Sequence, residues 1–180
     1  KMVERVIERG KEPEPKELHH DIEYRWREAW VQKMREGEVV IRSRDRNWEQ
    51  NRQGLLKYFL NPLVWDELGI PYWNAFIHQI KKHSGRHKHK GGVIIYVLEG
   101  VGYTVVNGVR WDWKAGDLLI LPVNPDGNEH QHFNADPSKP AFWAAFVWRP
   151  FYQAVGMYVQ QQETAPDWSG SLLPDKPHVA

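Results

Sequence analysis

The chain has 180 residues, 41% of them hydrophobic, with ten Trp, seven Tyr and six Phe, enough for one core and a single globular domain with at most an appendage. Its 24 Lys plus Arg nearly balance 23 Asp plus Glu, so no whole-molecule field favours nucleic acid or an anionic membrane. The absence of cysteine excludes disulfides, thiolate nucleophiles and Cys-ligated clusters, so any metal must rest on His or carboxylates.

Residues 1–38 are rich in Glu, Arg and Lys and carry Ile22, Trp26, Trp30 and Met34 at four-residue spacing. This predicts an amphipathic helix over about 20–36, after a short arm broken by Pro13 and Pro15. The apolar stripe must be covered by the body of the protein or by a second subunit, and a homodimer is expected. No apolar run approaches the roughly 18 residues of a spanning helix, and the charged N-terminus lacks a signal peptide's apolar stretch, so a soluble, cytoplasmic protein is expected. A second helical piece is expected over 48–60.

From Tyr72 the pattern changes to short apolar or alternating runs separated by turn residues, which predicts strands over 73–80, 92–98, 102–106, 109–113, 117–121, 130–134 and 141–148. Asn107-Gly108 between Val106 and Val109 is the pair that a two-residue type I′ hairpin requires. The tail from Glu163, with Pro166, Gly170, Pro174 and Pro177, has little periodicity and is expected to lie over the surface. The expected organisation is therefore a helical extension over 1–70, an all-β barrel over 71–152 and a tail over 153–180.

Chemistry concentrates on histidines. On a strand His87 and His89 point the same way, and Lys88 the other, so the two imidazoles can hold one ion together. The same alternation turns the basic run from Lys81 to Lys90 into a solvated face, and it lacks the interleaved aromatics that stack bases, so no nucleic-acid partner is expected. A third ligand must come from another strand, where His130 and His132 again share a face.

Gly85-Arg86-His87-Lys88-His89 with Gly102, and Pro125-x-Gly127-x2-His130-x3-Asn134, resemble the two cupin motifs, over about residues 73–148. The resemblance implies an antiparallel, jelly-roll-like β-barrel. Two departures stand out. Pro125 and Gly127 fall three residues late relative to the Gly116 to Pro122 opening, which implies a short insertion, and Val93 and Ile94 stand where the usual cupin carries a metal-binding Glu. A three-His site is implied instead. With Glu99-Gly100-Val101-Gly102, Gly116-Asp117 and His130-Gln131-His132-Phe133-Asn134, the pattern is similar to the gentisate-type ring-cleaving dioxygenases, although that family is usually a longer, two-cupin chain. That similarity implies His87, His89 and His130 as metal ligands and His132 as an outer residue that hydrogen-bonds substrate or dioxygen.

Neutral imidazoles leave a bound ion its full charge and open positions, which favours anionic chelating substrates. The expected function is a mononuclear non-haem Fe(II) dioxygenase acting on a small aromatic or dihydroxylated substrate, with Mn, Ni or Zn as other ions the ligands suit. The rivals are a metal-dependent lyase, isomerase or decarboxylase and a non-catalytic ligand-binding cupin. For the pocket, Gln79 is preferred over its neighbour His78 as the cavity-facing residue, His83 is a candidate for the mouth or a surface histidine, and Trp143 is a candidate wall or packs across the barrel.

Overall fold

A computed structural model describes residues 16–65, 69–156 and 158–170. The expected arm over residues 1–15 and the far end of the tail, 171–180, lie outside the described residues. Helix α1 spans His19–Glu36, with Asp21 in its first turn and Lys33 and Arg35 in its last, charges that suit the helix dipole. Among the described residues its stripe is not covered: no residue of α1 is buried, and Ile22, Trp26 and Met34 are exposed. Trp30 stacks on Tyr72 at 5.3 Å between ring centroids and tethers the helix.

The helix expected over 48–60 is instead a hairpin, β1 (Trp48–Asn51) and β2 (Gly54–Leu60), paired antiparallel from Trp48↔Lys57 to Asn51↔Gly54. Leu56 is buried between half-buried neighbours, a period of two rather than 3.6. A short apolar run reads equally as helix or strand, and here the pairing of β2 with β3 decides it.

Strands β3 (Trp73–Ile80), β4 (Arg86–His89), β5 (Val93–Glu99), β6 (Val101–Val106), β7 (Val109–Lys114), β8 (Leu118–Leu121), β9 (Asn128–Asn134) and β10 (Ala141–Trp148) follow. The short helix α2 (Arg149–Ala154) and strand β11 (Gln160–Glu163) are the last elements among the described residues. One sheet runs β1-β2-β3-β10-β5-β8 and the other β11-β4-β9-β6-β7, every pair antiparallel. The fold is the expected all-β, jelly-roll-like barrel with an N-terminal helix. Asn107 and Gly108 adopt φ of 48° and 81° between β6 and β7, as the type I′ turn demands.

Strand β11 has no counterpart among the expected strands. Its Gln-Gln-Gln-Glu sequence carries no apolar alternation; it is held by pairing with β4 and by Gln161, which bonds Gln53 at 2.6 Å and the Arg86 carbonyl at 3.2 Å. The apolar core sits between the sheets, where Ile80, Val93, Ile95, Leu121, Trp143, Ala145 and Val147 form one cluster and Val97, Trp113 and Ala141 a second.

Candidate metal centre

Strands β4 and β9 set His87 directly opposite His130 and His89 opposite Asn128. Because alternate residues share a face, His87, His89 and His130 all turn to the barrel interior. Their ring centroids lie 4.2 Å (His87–His130), 4.7 Å (His89–His130) and 5.2 Å (His87–His89) apart, and one nitrogen from each falls within 4.8 Å of the others. No carboxylate joins this group among the described residues. Val93, in the place of the usual cupin Glu, is buried in the core, and Ile94 is exposed on the outside.

The rings are oriented by backbone groups. His130 Nδ1 lies 3.1 Å from the Asn128 carbonyl, which can only accept, so Nδ1 donates there and Nε2 keeps its lone pair for a ligand role. The Asn128 side chain is tied down in turn by Asn107 at 3.1 Å and by the Pro122 carbonyl at 2.5 Å. Gly91 N–H reaches His89 Nδ1 at 3.0 Å, which fixes that ring. Gly91 has φ of 88°, and a Cβ there would meet the Pro122 carbonyl oxygen at 1.8 Å. Gly91→Ala is therefore expected to cost about 2 kcal/mol or more in a denaturant titration, because it combines a left-handed alanine with a backbone clash. A loss under about 0.5 kcal/mol would show that the turn yields freely.

Burial lowers the affinity of all these imidazoles for protons. It pulls His89 down to about 3, with the neighbouring His130 adding to the effect, and His130 down to about 4 against the opposing pull of Asn128 and Glu129. His87 and His132 are lowered well below the ordinary value, first by burial and then by the other imidazoles. At neutral pH the cluster is thus a set of uncharged imidazoles in a sheltered space; His130 keeps a free Nε2 lone pair for a divalent cation, whereas His89, whose Nδ1 accepts from Gly91 N–H, must change tautomer to ligate through Nε2.

His132, also facing inward, is nearly fully buried, with its ring 5.5 Å from His130 and 4.9 Å from Trp143. It stands beside the three-imidazole group rather than in it. Trp143 is buried on the inner face of β10, as its candidacy as a wall requires. The preference for Gln79 over His78 is overturned: His78 is buried with its ring 4.7 Å from Trp143, while Gln79 lines a surface recess with Lys81, Lys82 and His83. Register explains it, since His78 pairs with Trp143 across β3 and β10 and shares its face. His83 is half-buried, with its Nδ1 2.9 Å from the Ser84 carbonyl and 3.1 Å from Gln131 and its ring against Phe133.

Two parts of the interior escaped sequence reasoning. Tyr152 on α2 places its ring 6.2 Å from His89, and its phenol is held protonated by burial, against a smaller opposing effect of Arg149. Thr104 and Trp113 are buried next to His132. Nothing in the spacing of Tyr152 marks it, because it follows the last barrel strand on a helix of six residues.

Residues 77–148 match the family described as Cupin domain. Over 114 residues the chain is 29% identical to the 5-aminosalicylate 1,2-dioxygenase of a Comamonas species, a match covering 63% of this chain and 29% of that protein. The chain thus aligns with less than a third of that relative's length. Among solved structures it is similar to the polyketide cyclase RemF of Streptomyces resistomycificus, at 16% identity and a TM-score of 0.53, over 72% of this chain and 89% of the cyclase; this likeness is one of fold. A salicylate 1,2-dioxygenase of Pseudaminobacter salicylatoxidans is 24% identical with a TM-score of 0.47, over 82% of this chain and 39% of that one.

Proposed function

We propose, from the premise that residues 77–148 are a cupin domain, that this chain is a mononuclear non-haem Fe(II) dioxygenase whose substrate is a small aromatic acid bearing a hydroxyl group that chelates the ion. The observation that carries the reading is the convergence of His87, His89 and His130, uncharged and joined by no carboxylate among the described residues, beside the inward-facing His132. The identity shared with an aminosalicylate dioxygenase supports the same substrate class.

In this reading His87, His89 and His130 hold the ion. When bound, it supplies a Lewis-acid centre at which an ionised substrate oxygen and dioxygen are brought together. The protein's own part is to exclude water and to orient. Trp143 and His78 close the wall behind His132, and the buried His132 is within reach of a ligand seated at the cluster. The test is elemental analysis of anaerobically purified protein together with oxygen uptake on addition of aminosalicylate, salicylate or gentisate. Iron near one per chain with substrate-dependent uptake is the expected result. Zinc, nickel or manganese without uptake would instead favour the lyase or isomerase chemistry, and an absence of metal would overturn the site itself.

The outer face of the β3-β10-β5-β8 sheet carries Ile94, Tyr96, Leu118, Ile120 and Phe146, each more than 40% exposed. Ile94 pairs with both Ile120 and Phe146, and Tyr96 with Leu118, so the five form one apolar patch. Such a patch favours a self-complementary partner, and a homodimer through this face is our reading. Ile94→Asp combined with Ile120→Asp is expected to yield a monomer by light scattering from a dimeric parent. A parent that is already monomeric at micromolar concentration refutes the dimer.

A further inference from the structure

A neutral imidazole has one N–H, and whether His132 presents a donor or an acceptor to the barrel interior depends on which nitrogen carries it. The hydrogen bonds of its Nδ1 decide which. Three neighbouring strands determine the rest. Thr104 on β6 stands directly opposite His132 on β9, and its Oγ1 lies 2.8 Å from His132 Nδ1. From the other side Trp113 on β7 brings Nε1 to within 2.9 Å of the same Oγ1. The indole reaches across because its cross-strand partner is Gly102, where a Cβ would come within 2.3 Å of the ring.

The proton count then closes. Indole Nε1–H can only donate, so it fills one lone pair of Thr104 Oγ1. Thr104 is wholly buried, and no other side-chain or carbonyl partner accompanies these two among the described residues. Its hydroxyl proton therefore has a single acceptor, the lone pair of His132 Nδ1; the reverse assignment would leave a buried hydroxyl donor unsatisfied. We propose that Trp113 and Thr104 are positioning residues that set His132 as the Nε2–H tautomer, so that it offers a hydrogen-bond donor, not a base, to whatever is bound beside His130. The tautomer stands on the hydrogen bonds alone; its use in turnover rests on the dioxygenase reading. In that use, His132 would stabilise negative charge developing on a ligand oxygen, while the Nδ1–H tautomer that a base at Nε2 requires would leave the buried Thr104 hydroxyl proton without an acceptor.

The experiment is a long-range ¹H–¹⁵N correlation spectrum of the imidazoles in the ¹⁵N-labelled full chain, loaded with diamagnetic zinc at neutral pH. For the parent, His132 is expected to show an unprotonated Nδ1 and a protonated Nε2. Thr104→Val removes the hydroxyl at constant volume and is expected to shift Nδ1 and Nε2 towards averaged values, whereas Thr104→Ser restores the parent pattern. A proton on Nδ1 in the parent overturns the proposal even if every variant fails to fold, and so does a Thr104→Val spectrum in which His132 is unchanged. With a competent aromatic acid and oxygen, Thr104→Val is expected to lower kcat on the order of tenfold, with Thr104→Ser close to the parent. If the spectra hold and no aromatic acid drives oxygen uptake, the relay stands and the dioxygenase reading falls.

Discussion

His130→Ala is expected to remove bound metal and oxygen uptake together. His130 is the residue that joins the two strands of the cluster: it faces His87 directly across β4 and β9, and its ring is 4.7 Å from that of His89. It is also the candidate ligand whose free nitrogen is best defined, because its Nδ1–H donates to the Asn128 carbonyl. Loss of a supporting group around a metal ligand weakens binding by about 10- to 100-fold, and removal of the ligand itself is expected to exceed that. Turnover is expected to fall by on the order of a thousandfold or more, and iron content from about one per chain to a trace under gel filtration. His132→Ala provides the contrast, with metal retained and kcat reduced by about 10²-fold. His130→Ala that keeps stoichiometric metal after dialysis would show that His130 is not a ligand, and His132→Ala that loses it would move His132 into the ligand set.

The histidine cluster was legible in the sequence because the strand period does the work: residues two apart share a face whatever the surrounding fold, so His87 with His89, and His130 with His132, needed no tertiary information. The helix over 20–36 and the Asn107-Gly108 hairpin were legible for the same reason, since local spacing and turn chemistry determine them. Phase was harder. His78 and Gln79 are adjacent, and only the pairing of β3 with β10 decides which faces inward. The 48–60 hairpin and β11 depend on backbone partners remote in sequence, Leu56 finding His78 and Gln161 finding His87, and neither segment advertises a period of its own. The Trp113–Thr104–His132 contact spans three strands, so no one-dimensional pattern contains it.

Acid is expected to begin destabilising the metal-free chain well above the pH at which carboxylates protonate. An imidazole of the unfolded chain titrates near 6.5, whereas in the fold His78 and His89 are pulled down to about 3 and His130 to about 4, by burial first in each case. As pH falls below 6.5, the unfolded state binds protons that the native state refuses, and stability fully present above that value is lost progressively down to about 3. At pH 5 each such group has forfeited about 2 kcal/mol, and several together reach the size of an ordinary domain's entire margin. A metal ion bound to the deprotonated imidazoles opposes the loss, since it binds only the native state and competes with protons for the same nitrogens. Circular dichroism during an acid titration is therefore expected to give an unfolding midpoint between pH 6 and 4 for the metal-free chain and a more acidic one after loading. His78→Leu, which removes a buried titrating ring outside the ligand cluster, is expected to flatten the pH dependence without altering metal content. Stability that stays level from pH 7 to 4 in the metal-free chain would mean that these rings admit water and protons freely, and that the sheltered, uncharged donor set on which the metal centre depends does not form.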